Sequence, residues 1–189
     1  MTLRVVGVSG SLQEPSRTTV LVREIVAEVA RVAEVESRVI ELTAVGPRLA
    51  GALSRADLAA DVEEELRAIE TADLLVVASP VYRGSFTGLF KHLFDFVDQY
   101  ALLGHPVLLA ATGGGERHAL VLEHQLRPLF GFFQALTLPV GVYASTSEFD
   151  GYELRDGAVR ARIRRAVEAG LPLVEQVAAT RVSEYVSVW

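Results

Sequence analysis

The stretch from residue 72 to residue 97 constrains the possible folds of this chain more than any other. It opens with an unbroken apolar run, Leu74 to Ala78, which is too short for a free helix and contains two adjacent valines. Such a run is typical of a parallel strand buried on both faces. Pro80 ends the ladder because it has no N–H to donate. Beyond Gly84, apolar side chains recur at helical spacing: Phe86, Leu89, Phe90, Leu93, Phe94 and Val97. The stretch therefore predicts a strand, a loop and a helix, which is half of a βαβ unit.

The same plan recurs along the chain. Further strands are predicted at residues 3–9, 37–42, 107–111 and 138–144, with helices through residues 21–29, 57–72, 116–135 and 159–177. Gly170 and Pro172 are expected to interrupt or kink the last helix. Five alternating units predict an α/β fold of the flavodoxin-like type, a three-layer sandwich around a five-stranded parallel sheet in the order 2-1-3-4-5. We expect one domain at residues 1–178, followed by a tail at residues 179–189.

Composition limits the classes of function. A net charge of −6 disfavours nucleic acid as a partner. No stretch reaches the ~18 consecutive apolar residues that suggest a membrane span, and Leu3 to Val6 is expected to be a strand and not part of a signal peptide. The sequence has no cysteine, which removes disulfides, thiolate catalysis and cysteine-bound metals. No group of His, Asp and Glu has a metal-ligand spacing. We expect a cytoplasmic protein with neither a membrane nor a nucleic-acid partner.

The loop after the first strand has the chemistry of a phosphate site. It leads into a helix whose first N–H groups lack internal acceptors, and it carries four hydroxyls and one guanidinium. These side chains belong to Ser9, Ser11, Ser16, Arg17 and Thr18. Neither G-x-x-x-x-G-K-[ST] nor a G-x-G-x-x-G after the first strand is present, which excludes a P-loop NTPase and the usual Rossmann NAD site. The alternative is an ordinary loop in which Ser16 only caps the helix.

Two other loops follow strands predicted to end at the same edge of the sheet, where ligands bind in open α/β folds. The loop Pro80-Val81-Tyr82-Arg83-Gly84 offers an aromatic ring, a guanidinium and a glycine that allows close backbone approach. The loop Thr112-Gly113-Gly114-Gly115 exposes consecutive N–H groups that suit the polar edge of a heterocycle. A phosphate cradle beside two such loops predicts a site for a mononucleotide with a flat ring, the shape of FMN.

Three motifs in these loops resemble those of the flavodoxin-like NAD(P)H-dependent FMN reductases. They are G-S-L-x-x-x-S-R-T from Gly10 to Thr18, S-P-V-Y-R-G-S-F-T-G-L-F-K-x-x-x-D from Ser79 to Asp95, and A-T-G-G-G-x-x-H from Ala111 to His118. The resemblance spans residues 3–177 and is strongest to the reductases that supply reduced flavin to alkanesulfonate monooxygenases. It implies a homo-dimer or tetramer that reduces FMN, held as an exchangeable substrate, with NADH or NADPH. The reduced flavin would pass to a monooxygenase that binds only transiently.

The resemblance also implies roles for individual residues. The residues implied to hold the FMN phosphate are Ser9, Ser11, Ser16, Arg17 and Thr18. Those implied to contact the isoalloxazine are Pro80, Val81, Tyr82, Arg83 and Gly84, with Thr112, Gly113 and Gly114 at its polar edge and His118 as a further contact. No catalytic acid or base is expected, because the hydride passes directly from nicotinamide C4 to flavin N5.

Two other functions stay open at this stage. Val81-Tyr82-Arg83 stands where related quinone and azo-dye reductases usually have Glu-Tyr-Asn after the proline. That departure disfavours a flavoprotein quinone or azo-dye reductase without removing it. The other alternative is an FMN-binding electron carrier, against which Arg17 and the unusually apolar helices argue.

The helix predicted at residues 116–135 has two unusual features. Pro128 cannot donate to the carbonyl of His124, which predicts either a π-type irregularity or a simple proline kink. The resemblance to the FMN reductases, which carry such an insertion close to the flavin, implies that a π-type irregularity here would keep the flavin exchangeable. Apolar side chains cover more than one stripe of this helix and of the preceding one, which predicts a subunit interface or deep core packing.

The other histidines considered, His92 and His105, are expected to be structural or solvated. The tail at residues 182–189 is predicted to dock on a partner or to fray.

Overall fold

The computed structural model describes residues 1–186, and the side chains of residues 1–180. Strands and helices alternate within this range, as the sequence predicts. The strands of the main sheet are β1 (Leu3–Ser9), β2 (Val35–Glu41), β3 (Leu74–Pro80), β4 (Pro106–Gly113), β5 (Leu136–Thr137) and β6 (Val142–Ser145). A small antiparallel hairpin is formed by β7 (Phe149–Asp150) and β8 (Glu153–Leu154). The α-helices are α1 (Arg17–Val32), α2 (Leu42–Leu49), α3 (Ala60–Thr71), α4 (Gly88–Asp95), α5 (Arg127–Phe132) and α6 (Ala158–Val186).

The main sheet is parallel and has the order β2-β1-β3-β4, with β5 and β6 both paired to β4 at the outer edge. The predicted flavodoxin-like order 2-1-3-4-5 is confirmed, except that the fifth strand is divided into two pieces. Proline causes the division. Leu138 still donates its N–H to the carbonyl of Val107 at 2.8 Å, but Pro139 has no N–H, and pairing resumes only at Val142.

Helices cover both faces of the sheet, which gives the predicted three layers. Side chains of α1 and α6 form one apolar core with alternate residues of the strands, and those of α2, α3, α4 and α5 form the other. The central strand β3 is buried on both faces over Leu74–Ser79. Because the strands are parallel, the loops that follow β1, β3 and β4 all lie at the same edge.

The helix bounds differ from the predicted ones in several places. Helix α2 was not expected, because Gly46 and Pro47 are poor helix formers. It forms because Leu42, Val45 and Leu49 are buried against the rest of the core. The segment predicted as one helix at residues 57–72 is a 3₁₀ turn at Arg55–Asp57 followed by α3.

The last helix was expected to be interrupted or kinked near Gly170 and Pro172, and the interruption was wrong. Helix α6 continues through both residues and on to Val186, beyond the predicted end at residue 177 and across the expected domain boundary at 178. A Cβ at position 170 would lie 2.5 Å from Cδ1 of Leu138, so any residue other than glycine there would force Leu138 to shift. The tail at residues 182–189 was predicted either to dock on a partner or to fray. The side chains on which this prediction depends lie outside the described residues. None of the helices described is both long and apolar enough to span a bilayer.

The 3₁₀ turn at residues 55–57 is fixed to α3 by an ion-pair cluster. Arg55 donates to Glu63 at 2.8 Å and also pairs with Glu70. The hydrogen bonds that Glu63 accepts from Arg55, and to a smaller extent from Arg67, lower the pKa of Glu63 to about 2. Since this folded-state pKa lies below the unfolded value, the cluster stabilises the protein fully above pH 4.5 and loses that contribution as the pH falls towards 2.

Replacing Glu63 with glutamine should therefore destabilise the protein at pH 7 and much less at pH 2.5. The free energy of unfolding is expected to fall by about 1 kcal/mol at most, because the partners are partly solvated. Urea unfolding of wild type and Glu63→Gln at both pH values measures this difference. Glu64→Gln is the matched control, since Glu64 pairs with Arg38 at the surface. A Glu63→Gln effect that is the same at both pH values would contradict the assignment.

Candidate functional site

A cleft of about 230 Å³ lies at the carboxyl edge of the sheet, between the loops that follow β1, β3 and β4. Ten of the fourteen predicted site residues line it: Ser11, Ser16, Arg17, Thr18, Pro80, Val81, Tyr82, Thr112, Gly113 and Gly114. Gly84 and His118 lie in a neighbouring cavity that Val81 also lines. Arg83 is exposed in the turn beside it, and Ser9 lies beneath the first loop.

The start of α1 presents unpaired donors to the cleft. Ser16 is the N-cap, and its hydroxyl oxygen accepts the N–H of Thr19 at 3.2 Å. Among the described residues, no acceptor pairs with the backbone N–H groups of Arg17 and Thr18. The first turn of α1 also contains no acidic residue. Backbone donors at a positive helix terminus make this end of the cleft suitable for an anion.

Arg17 is oriented by contacts with the β7–β8 hairpin. Its Nε donates to the carbonyl of Gly151 at 2.8 Å, and its guanidinium carbon lies 5.4 Å from the ring centroid of Tyr152. Among the described residues it forms no ion pair, so its Nη groups have no carboxylate partner. A guanidinium that is fixed by its Nε hydrogen bond and by a cation–π contact is preorganised to bind an oxyanion with its two Nη groups.

Two pairs of buried hydroxyls support the loop from below. Thr18 is 2% exposed, and its Oγ1 lies 2.6 Å from Oγ1 of Thr112, which connects α1 to the end of β4. Ser9 is fully buried and its Oγ lies 2.8 Å from Oγ1 of Thr19. The structure therefore places Ser9 under the cleft and not in it, because its hydroxyl already has a partner inside the core. The other residues predicted to hold a phosphate all line the cleft, although the hydroxyl of Thr18 is likewise buried and paired.

The loop after β3 is a tight turn anchored to the first loop. Tyr82 and Ser85 exchange both backbone hydrogen bonds, at 2.8 and 3.1 Å. The two residues between them, Arg83 and Gly84, have positive φ angles of 52° and 82°, the pattern of a type I′ turn. Further along, Thr87 donates its hydroxyl to the carbonyl of Gly10 at 2.9 Å. That bond fixes the second loop relative to the first.

The loop after β4 is positioned by Tyr143. Its hydroxyl donates to the carbonyl of Gly115 at 2.6 Å, and burial raises its pKa, so the phenol stays neutral. A Cβ on Gly113 would lie only 2.4 Å from this hydroxyl. Gly113 must therefore lack a side chain for the tyrosine to pack here.

Sequence reasoning missed the side of the cleft that the β7–β8 hairpin forms. Thr146, Phe149 and Tyr152 line the cleft, together with Gln13 and Pro15 of the first loop. A signal for the hairpin was present, since a glycine at the first position of a two-residue loop, here Gly151 before Tyr152, favours tight hairpin turns. Its short strands hid it, because each contains only two residues.

The predicted irregularity at His124 is confirmed as a π-helical segment, Leu122–Leu126. Arg127 donates its N–H to the carbonyl five residues earlier, that of Leu122. Pro128 falls in the first turn of α5, where a missing N–H has little cost. The single helix predicted at residues 116–135 is thus a 3₁₀ turn at Glu116–His118, the π segment and α5. Gln125 of the π segment accepts a hydrogen bond from Ser85 at 2.9 Å, next to the turn after β3.

The chemistry of the cleft fits FMN. The anion-binding end at α1 suits a terminal phosphate, and the proline, valine and tyrosine of the second loop offer a flat apolar surface. The Gly113-Gly114 backbone offers hydrogen bonds to a polar ring edge. Of the described residues, no Asp, Glu or His lines this cleft. The arrangement can bind and orient a flavin, and it contains no carboxylate or imidazole for proton transfer.

Comparison with known proteins gives a consistent result. Residues 3–150 match the family described as NADPH-dependent FMN reductase. The chain is 57% identical over 171 residues to the NADH-dependent FMN reductase SfnF of Pseudomonas fluorescens (strain Pf0-1), covering 90% of this chain and 91% of that one. It is 56% identical over 170 residues to an FMN reductase (NADPH) of Pseudomonas aeruginosa, with the same coverages of 90% and 91%. The apo structure of the NADH:FMN oxidoreductase EMOB superposes with a TM-score of 0.79 at 32% identity, over 88% of this chain and 87% of that one.

Proposed function

This chain belongs to the NADPH-dependent FMN reductase family, and we propose that it reduces FMN by hydride transfer from NADH or NADPH. FMN is a substrate that enters and leaves the cleft. The observation that carries this proposal is the start of α1, where two free backbone N–H groups and the unpaired Arg17 face the same end of the cleft.

The residues of the chain bind and orient the reactants. Arg17, Ser11, Ser16 and the first N–H groups of α1 hold the phosphate, and Pro80, Val81 and Tyr82 lie along the ring. Gly113 and Gly114 donate to the polar ring edge. When bound, the flavin supplies the atom that accepts the hydride. The protein contributes proximity and orientation, which explains why the cleft needs no general acid or base.

The shape of the cleft supports an exchangeable flavin. At about 230 Å³ it is smaller than the roughly 300–1,000 Å³ of pockets that enclose a small ligand. A flavin bound to one chain would leave part of its ring uncovered. The reduced flavin then passes to a partner monooxygenase, in organosulfur or alkanesulfonate use.

We also propose a cytoplasmic homo-dimer or tetramer. Exposed apolar side chains support a second subunit, since Leu120 beside the π segment is 63% exposed and Phe132 of α5 is 66% exposed. A monomer would leave both in water.

Steady-state oxidation of NADH and NADPH, with and without added FMN, tests the proposed function. We expect colourless protein after desalting and activity that appears only with FMN and saturates with its concentration. Yellow protein whose NAD(P)H oxidation is accelerated by a quinone would support the flavoprotein quinone reductase instead. Yellow protein that oxidises neither nicotinamide would support an electron carrier.

The role of the π segment in flavin exchange can be tested by shortening it. Deleting His124 removes the extra residue that a π turn contains and permits regular i→i−4 bonding. Because Gln125 contacts the turn after β3, this change alters the border of the flavin cleft. We expect the deletion variant to retain FMN on a desalting column, whereas wild type does not. His124→Ala keeps the number of residues and should elute colourless. Equal flavin retention by all three proteins would contradict this role.

A further inference from the structure

Basic side chains at the carboxyl edge of the sheet lack acidic partners, unlike most of those elsewhere. Eleven Lys and Arg side chains of residues 1–180 form ion pairs with Asp or Glu. Arg17, Arg83 and Arg117, which follow β1, β3 and β4, form none within the described part of the chain. A protein with a net charge of −6 thus keeps three cations unpaired beside one cleft. Arg17 is accounted for by the FMN phosphate, but Arg83 and Arg117 are not.

Arg117 lines a second cavity, of about 260 Å³, which shares Val81 with the FMN cleft. The hydrogen-bonding side chains in this second cavity are those of Arg117, His118, His124 and Gln125. No Asp or Glu of the described residues lines it. Glu123, the acidic neighbour of His124, is turned to Arg127 and pairs with it at 2.6 Å. The second cavity therefore presents cationic and neutral donors without a compensating carboxylate, which suits a phosphate.

Arg83 lies at the rim of the second cavity in an unfavourable conformation. Its neighbours Val81 and Gly84 line the cavity, and its own φ of 52° is one that Asn or Gly adopts more readily. A long cationic side chain at the first central position of a type I′ turn has no structural advantage here. A non-glycine residue in such a conformation is a reason to look for function in its side chain.

We propose that the second cavity binds a phosphate of the nicotinamide dinucleotide, with Arg117 as the principal contact and His124 and Arg83 beside it. This inference rests on the proposed function and identifies the part of the site that recognises the hydride donor. The second cavity adjoins the FMN cleft at Val81, so a dinucleotide whose nicotinamide lay over the flavin ring there would have this cavity beside it for a phosphate. The phosphate is either the pyrophosphate, common to NADH and NADPH, or the 2′-phosphate of NADPH alone.

Kinetics of Arg117→Gln and His124→Gln test the proposal. At saturating FMN, we expect Arg117→Gln to raise the KM for the nicotinamide by about 10- to 100-fold, the effect of losing a charge-assisted hydrogen bond. The effect of His124→Gln is smaller, and the KM for FMN stays unchanged in both. Arg165→Gln is the control, because Arg165 is an exposed residue of α6 that forms no ion pair within the described part of the chain, and its loss changes the net charge equally.

The two nicotinamides identify which phosphate is bound. A rise in KM for both NADH and NADPH indicates the pyrophosphate, and a rise for NADPH alone indicates the 2′-phosphate. Unchanged KM values for both nicotinamides in Arg117→Gln would overturn the proposal, even though wild type then still reduces FMN. An inactive wild type would instead count against the proposed function.

A binding measurement separates recognition of the phosphate from turnover. ADP-ribose and 2′-phospho-ADP-ribose carry the phosphates without the reactive ring, and calorimetry measures their affinity for the protein with no hydride donor present. We expect Arg117→Gln to weaken at least one of them by about tenfold or more, with Arg165→Gln unaffected. Equal affinities across wild type and both variants would overturn the proposal.

Arg83→Asn provides a variant in which stability and binding should change in opposite directions. It places the Asn-Gly pair that type I′ turns prefer at this turn, so we expect the midpoint of thermal unfolding to rise by about 2 °C. The KM for the nicotinamide should rise in the same variant. A rise in stability with an unchanged KM would remove Arg83 from the subsite.

Discussion

Replacing Arg17 with glutamine should raise the KM for FMN by about 10- to 100-fold, the cost of one charge-assisted hydrogen bond to phosphate. The guanidinium is the sole unpaired cation among the described residues that line the cleft. Its contacts with Gly151 and Tyr152 fix its position before the flavin arrives. Losing it therefore removes binding energy that no neighbouring side chain replaces. Steady-state kinetics with FMN as the varied substrate measure the effect.

Riboflavin provides the matching control, because it has the same ring and no phosphate. We expect the KM for riboflavin to be the same in wild type and Arg17→Gln. Arg17→Lys should lie between wild type and Arg17→Gln for FMN, since an ammonium keeps the charge but cannot bind two oxygens in the manner of a guanidinium. If Arg17→Gln weakened FMN and riboflavin equally, Arg17 would support the shape of the cleft and would not bind the phosphate.

Replacing Phe94 with alanine should destabilise the protein by about 3–5 kcal/mol, the usual cost of removing a fully buried aromatic ring. Phe94 is 1% exposed and lies at the centre of an aromatic cluster. Its ring centroid is 4.8 Å from that of Phe90, 5.0 Å from that of Phe130 and 6.5 Å from that of Phe133. Truncation leaves a cavity bounded by the ring of Phe90 from α4 and by the rings of Phe130 and Phe133 at the end of α5. Equilibrium unfolding in urea measures the loss.

Phe132→Ala is the matched comparison, because Phe132 is a phenylalanine of α5 that is 66% exposed and whose ring lies against that of Phe133 at the edge of the cluster. Its truncation should cost about 0.5 kcal/mol or less if the surface stays solvated. A larger and concentration-dependent cost would indicate a subunit covering this face, as the proposed oligomer requires. A cost below about 1 kcal/mol for Phe94→Ala would contradict the packing described for the core.

The sequence predicts the topology because its clearest patterns, the short apolar runs, mark the strands whose order defines the sheet. The apolar run at residues 74–78 predicts a central strand, and four similar units place the other strands around it. The three site loops follow directly, since parallel strands bring their carboxyl ends to one edge. Ten of the fourteen predicted site residues consequently line the same cleft. Pro128 predicts the π segment for a local reason, the missing donor opposite His124.

Other parts of the site depend on tertiary contacts between distant residues, which no local pattern in the sequence indicates. Hydroxyls at positions 9, 11, 16 and 18 look equivalent in the sequence, but burial distinguishes them. Ser9 faces Thr19 inside the core, whereas Ser11 and Ser16 line the cleft. The hairpin at residues 149–154 contributes to the site through a contact between Arg17 and Gly151, which are separated by 134 residues. Helix α2 forms against its own propensity because tertiary packing favours it.

The hydrogen bond between Thr18 and Thr112 makes two distant positions interdependent in evolution. Valine at either position alone would strand a buried hydroxyl at the other, whereas valine at both would leave no polar group unsatisfied. The two positions should therefore change together across descendants of a common ancestor, and single changes should be rare. Arg83 and Tyr152, by contrast, are exposed and can vary one at a time. We therefore expect new preferences for a nicotinamide or a flavin to arise most readily at the turn and the hairpin, above a pair of threonines that should change only together.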